Sequence, residues 1–449
     1  MSGRNYHKLL LGMALVLALP GVCLAAKLED VVVQTVSNNP AILIQTARRY
    51  VQDNRLRESV SGYFPNIELT AAYGREHNKN FFTRLANGPN GELTLTKREM
   101  GFSIKQIIFD GFAVRGEVEV GSAMVQSSGY HVLAKLEEVI LEISAAYIET
   151  IMQRSIYMHA KDNLANHKVI LNKINNGSIK NLQSGDLELV MGRMSLVQTQ
   201  LLDLQRDIRD SQADYMKVVG RRPDTMFRPE PPESRLPNSE EAAVAVALNN
   251  NPRVFIANAD IRAARAEKRV AKSNYMPKLD LEISGTNNKN VDGYKQKTNS
   301  LSAMLQMKYN LFAGGKDVSA ERKSAWLLEE KKEMLSEDLR NIEQHVRHIW
   351  SAFVNYKSQL GFLKKRVDSM NATRDAYLKD VSDGNRRVLD LLDAEHELYL
   401  AKANYVAAQY KELLSRYMLL QGVGKIREHF NVALPAAVQY RPTQWMNGF

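Results

Sequence analysis

In the stretch DGNRRVLDLLDAEHEL, residues 383–398, Asp390 and Asp393 follow the Arg386–Arg387 pair at helical spacing. Carboxylates three apart share one helix face, and such like charges repel by roughly 0.2–0.5 kcal/mol in an isolated helix. These residue types allow cation attraction and charge-assisted Arg–carboxylate pairing; an ordinary solvated face accounts for the same pattern. His345 and His348 in EQHVRH also share a helix face. The His-Glu-x-x-His pattern is missing and no third ligand is in view, so no metal is expected. FAGGKD, residues 312–317, lacks the first glycine of a phosphate loop, that position being Asn310, and no Ser or Thr follows Lys316. A structural turn is expected there instead. The single cysteine is Cys23, close to the start of the chain, so neither a disulfide framework nor a thiol nucleophile is expected. No nucleophile or pocketed carboxylate pair can be assembled either, and the chain reads as neither an enzyme nor the holder of a cofactor.

Arg4, His7 and Lys8 precede an apolar run from Leu9 to Leu19, and CLAA offers a cleavage site after Ala25 or Ala26. Residues 1–26 are therefore read as a secretory signal. The apolar run is shorter than the ~20 residues a spanning helix needs. Val22 stands where a lipidation signal has a small residue, which opposes acylation of Cys23. The formal charge of +10 falls to +8 once Arg4 and Lys8 are removed with the signal, which holds no acidic residue. The remaining basic residues alternate with acids along helices, and with export this argues against a nucleic-acid partner.

The chain repeats itself. SNNPAILIQTARRYVQDNRLRESVSGYFPNIELTAAYG at 37–74 answers NNNPRVFIANADIRAARAEKRVAKSNYMPKLDLEISG at 249–285, with Pro40 matching Pro252 and Pro65 matching Pro277. QIIFDGF answers YNLFAGG, and DYMKVVG, ending at Gly220, answers RYMLLQG, ending at Gly422. The expected division is a signal at 1–26, a first repeat at 27–220, a linker at 221–240, a second repeat at 241–424 and a tail at 425–449. The linker holds five of the 13 prolines and reads as extended chain.

Each repeat reads as a helix of about 22 residues after Asn-Asn-Pro, ended before Pro65 or Pro277 because the residue preceding proline avoids the helical region. Two strands of about ten residues follow. Ile67, Leu69, Ala71 and Tyr73 alternate with polar residues, as do Leu279, Leu281 and Ile283. Their partners put Met100, Phe102, Ile104 and Ile108 on one face in the first repeat, and Leu301, Leu305, Met307, Tyr309 and Leu311 in the second. Gly111, Gly314 and Gly315 mark the turns from strand into helix. Long helical patterns run from about Phe112 to Asn175 and Lys316 to Ser382, with return helices at about 186–219 and 389–420. Sixty residues of helix span on the order of 90 Å.

Strand alternation alone fits a soluble four-stranded sheet as well as an outer-membrane barrel. The order strand, strand, long helix, return helix, given twice with no other apolar layer, favours the barrel. Four strands cannot close on themselves, since about eight is the minimum, and open edges in lipid leave backbone groups unpaired. Several chains must share one barrel: two would give eight strands and three would give twelve.

That order, with the twin Asn-Asn-Pro and Tyr-x-Pro marks, the FDG and FAGG turns and VLDLLDAEHEL, resembles the TolC-like outer-membrane factor family over residues 28–424. The resemblance implies an α+β membrane protein in the cell outer membrane: a homotrimer with a 12-stranded β-barrel, four strands per chain, continued by a coiled-coil tunnel across the periplasm. It implies a periplasmic adaptor and an inner-membrane transporter of ABC type as partners, with outer-membrane lipid around the barrel. It also implies a gate at the inner tip. Arg386, Asp390 and Asp393 match the family's gate arginine and two ring aspartates, Gly384 matches its glycine of that turn, and Asp186 matches the acidic partner in the first repeat. Val381 replaces a tyrosine of the link. Asp186 as a plain helix cap is the competing reading. The expected function is a passive exit duct of type I protein secretion; the alternatives are the outer-membrane factor of a multidrug efflux pump and, further off, a periplasmic coiled-coil adaptor.

Overall fold

A computed structural model describes residues 27–439. The expected signal with Cys23, and the tail from 440 onward, lie outside the described residues. Helices α1 (Leu28–Val36) and α2 (Pro40–Ser61) precede strand β1 (Asn66–Asn78), helix α3 (Phe81–Asn87), strand β2 (Leu93–Phe109), α4 (Ala113–Asn175) and α5 (Asp186–Val219). Apart from α3 the order then returns as α6 (Glu240–Asn250), α7 (Pro252–Ser273), β3 (Lys278–Lys289), β4 (Lys297–Lys308), α8 (Lys316–Asp383) and α9 (Val388–Gly422). A short α10 (Ile426–His429) and a 3-10 turn at Ala436–Val438 follow. With 63 and 68 residues and no proline, α4 and α8 each rise by roughly 100 Å.

The chain forms two compact units. One gathers residues up to Asn39 with Ile140–Glu233 and Ala352–Tyr417; the other gathers Pro40–Val139, Ser234–Ser351 and the chain from Met418. In the first, Ile170, Ile174, Val190, Val381, Leu391 and Leu392 form a buried cluster drawn from α4, α5, α8 and α9. Full burial of such aliphatic side chains contributes about 1.5–3 kcal/mol each. In the second, Ala243 and Ala247 of α6 pack with Ile342, Val346 and Ile349 of α8 and Leu419 of α9.

The Asn-Pro marks have a common use. Asn39 Nδ2 donates to the Val218 carbonyl near the end of α5 at 3.3 Å. Asn251 Nδ2 donates to the Gly422 carbonyl at the end of α9 at 3.3 Å, while its Oδ1 accepts from the Arg253 amide and caps α7. Each buried asparagine thus satisfies a terminal helix carbonyl that would otherwise lack a partner.

The four strands make one antiparallel sheet in the order β1-β2-β3-β4. Register places Leu69 opposite Phe102, Ile67 opposite Ile104, Ile104 opposite Ile283, and Leu281 opposite Leu305. The apolar positions therefore share one face across all four strands. Nothing among the described residues covers that face: Leu69 and Tyr73 are each 80% exposed and Leu301 is 77% exposed. β1 and β4 each keep one unpaired edge.

Several sequence expectations need correction. The strands hold 13, 17, 12 and 12 residues rather than about ten. A register shift between Ile107 and Phe109 makes Ile108 the extra residue of a bulge, so Phe109, opposite Leu279, takes the place on the apolar face that Ile108 was expected to hold. Helices α1, α3 and α6 were not foreseen. For α3 the signal was present: Asn80 and Thr83 form a reciprocal capping box. The proline-rich linker, expected as extended chain, carries one 3-10 turn at Glu233–Arg235, and the Tyr147 hydroxyl holds it by accepting from the Phe227 amide and donating to its carbonyl.

Candidate functional site

Both long helices end in the same way in the first unit. After α4, Gly177 is left-handed and its amide bonds to Ile174, with Ser178 bonding to Lys173; after α8, left-handed Gly384 bonds to Val381 and Asn385 to Asp380. This is a Schellman closure, for which glycine is the favoured residue. The two turns meet: Asn181 Nδ2 donates to the Gly384 carbonyl at 3.2 Å. A Cβ on residue 384 would lie 2.9 Å from that nitrogen and 3.0 Å from the Lys180 Cβ, and the φ of 83° there also favours glycine.

Asp186, the first residue of α5, accepts from the Gln183 amide at 2.8 Å and closes its own loop. Arg386 lies with Asp380 at 3.6 Å and Asp390 at 3.7 Å, and its guanidinium covers the Tyr377 ring at 3.8 Å. Arg387 also pairs with Asp390, at 3.2 Å. Asp393 pairs with Arg193 of α5 at 2.7 Å. The structure thus brings Arg386 and Asp390 together and directs Asp186 and Asp393 to other partners. Three arginines face Asp380, Asp390 and Asp393, so the charge of the aspartate pair is largely offset within one chain.

Arg193, Tyr377 and Asn181 escaped the reading of the sequence. Arg193 stands seven residues beyond Asp186 as Asp393 stands seven beyond Arg386, but Arg386 precedes the start of α9, so this equal offset is no shared helical face. Tyr377 lies one turn before Val381, on the same face of α8, and supplies an aromatic ring there. Val381 itself is fully buried in the apolar cluster. Below the turns, buried Glu395 is held by Arg374 at 3.1 Å and Asn166 at 3.0 Å, tying α9 to α8 and α4.

Gly111, Gly314 and Gly315 are all left-handed at the entries to α4 and α8. Asp110 adds a cap, accepting from the amides of Ala113 and Val114 at 3.0 and 2.7 Å. Pro65 directly precedes β1 and Pro277 directly precedes β3. In the second unit, His345 and His348 line a cavity of about 430 Å³ together with Glu137 and Arg253. Burial pushes the Glu137 carboxyl up to about 8. Burial, then Arg253 and His348, holds the His345 imidazole below its usual range. Among the described residues no group of three His, Cys, Asp or Glu side chains could hold a metal ion, and no helix is long and apolar enough to cross a membrane.

Residues 243–425 match the family model described as outer membrane efflux protein. The outer membrane efflux protein BepC of Brucella suis is 22% identical, over 94% of this chain and 90% of its own length. The alkaline protease secretion protein AprF of Pseudomonas aeruginosa is 26% identical, over 45% of this chain and 42% of its own. Among solved structures, the Campylobacter jejuni CmeC outer membrane channel superposes with a TM-score of 0.77 at 14% identity, covering 89% of this chain and 86% of that one.

Proposed function

For this chain, a member of the TolC-like outer-membrane factor family, we propose the role of a passive exit duct in type I secretion, carrying protein substrates across the outer membrane. The observation that carries the duct is the sheet: four strands, one apolar face left uncovered, and two open edges. Unpaired backbone groups in lipid cost several kcal/mol each, so β4 of one copy pairs with β1 of the next. With strands alternating in direction along β1 to β4, that contact is antiparallel. Three copies give a 12-stranded barrel, which places the strands in the outer membrane and the long helices in the periplasm. The chain is built as two repeats, 27–220 and 241–424, joined by the linker 221–240, with 425–449 as a tail. The turns carrying Asp186, Arg386, Asp390 and Asp393 form the gate at the inner tip, opened by a periplasmic adaptor and an inner-membrane ABC-type transporter that supplies the energy. The duct itself catalyses nothing.

The likeness to a protease secretion protein supports protein cargo. The efflux description of the matching family model favours a second reading, the outer-membrane factor of a multidrug pump. Deleting the gene separates them. Loss of a large secreted protein with drug susceptibility unchanged is the expected result; the reverse pattern overturns the secretion reading in favour of efflux.

A further inference from the structure

Where the two middle strands of the sheet run into helices, the first turns of α4 and the last turns of α7 enclose a groove of about 530 Å³. Its base is narrow because two glycines let the helices touch. A Cβ on Gly111 would lie 2.7 Å from the Ser273 carbonyl oxygen, and one on Gly116 would lie 2.6 Å from a Val270 methyl. Its walls carry three cations, Arg115, Arg269 and Lys272, and a single carboxylate, Glu119. Both arginines share Glu119, Arg115 at 3.4 Å, and Lys272 reaches out to Glu321 at 3.6 Å. A guanidinium has five donors, so one shared carboxylate leaves donors on both arginines for a further anion. The α4 terminus is not what holds that anion, since Asp110 already occupies the Ala113 and Val114 amides.

Phe112 and Met276 add apolar surface to the lining of the groove. Phe112 has φ 68°, a left-handed conformation in which a bulky residue is an outlier, and it is nonetheless 55% exposed. Its ring stands edge-on to Phe109 at 5.4 Å, and Phe109 lies opposite Leu279 on the apolar face of the sheet. The groove is therefore continuous with that face. At the same end of the sheet Lys278 pairs with Lys308 across β3 and β4, which adds positive charge at the rim.

We propose that this groove binds the headgroup of an anionic glycerophospholipid. The phosphate sits among Arg115, Arg269 and Lys272, and an acyl chain runs past Phe112 and Phe109 onto the apolar face. The site rests on the reading that this face lies in lipid. Cations at a membrane surface attract acidic lipid through their charge, and here the built groove fixes where that attraction acts.

The test uses the purified full-length protein in detergent, titrated with dioleoylphosphatidylglycerol or dioleoylphosphatidylcholine and read by native mass spectrometry. Phosphatidylglycerol is expected to be retained preferentially. Lys272→Gln, which leaves the Glu119 pairs intact, is expected to lower retention by about fivefold, and R115Q/R269Q/K272Q by more. Equal retention of the two lipids, or equal retention by wild type and Lys272→Gln, overturns the site even if the triple variant fails to fold. Full displacement by millimolar inorganic phosphate assigns the groove to a soluble anion and also overturns the lipid. Carbonate extraction of membranes separates this from the larger reading. A protein that resists extraction but shows no lipid preference sinks only the groove; one that is extracted sinks the membrane sheet itself.

Discussion

At the proposed gate, Asp393 does not stand bare: Arg193 reaches it from the other return helix at 2.7 Å. Exposed pairs of this kind contribute at most about 1 kcal/mol to stability, so the consequence lies in the local field rather than in folding. Two charges 4 Å apart interact by about 1 kcal/mol even in water, enough to shift a permeability ratio several-fold. In planar bilayers under a salt gradient, D390A/D393A is expected to lower cation selectivity, and Arg193→Ala to raise it by releasing Asp393. Unchanged reversal potentials in both variants contradict the placement of these residues at the constriction. The spacing of Asp390 and Asp393 was legible because it lies within one helix. Their partners were legible only where they are local, as with Arg386. Arg193 is about two hundred positions away in sequence, and helical spacing carries no information about which distant helix lies alongside.

The elements were legible to the extent that their ends carry chemistry. Glycine after α8, proline before β1 and β3, and Asn-Pro before α2 and α7 fix the boundaries through backbone constraints that act locally. The β2 bulge has no such mark, and it reverses which of Ile108 and Phe109 joins the apolar face. Val381 shows the same limit at the end of α8. The family resemblance marks it as a missing tyrosine, whereas packing makes it a wall of the apolar cluster with no exposed surface. Tyr377, one turn earlier, already stacks on Arg386. Val381→Tyr is therefore expected to overpack the tip and destabilise it by about 1–3 kcal/mol. A chemical-denaturation midpoint equal to or above wild type contradicts that account.

For the whole molecule, the sequence order already pointed to strands and long helices in two rounds, since amphipathic periods of two and about 3.6 are written along the chain. How many chains would close the proposed barrel is not written there, because closure would depend on an edge-to-edge contact between copies. The single natural cysteine, Cys23, lies in the expected signal, which makes engineered cysteines clean reporters of that contact. The most direct measurement places one cysteine on the open edge of β1 and one on the open edge of β4, scanned in register, and reads disulfide products from the outer-membrane fraction on a denaturing gel. Cross-linked species ending at three chains are the expected result. A soluble fraction containing only uncross-linked monomer, whatever the register, contradicts a barrel shared between copies.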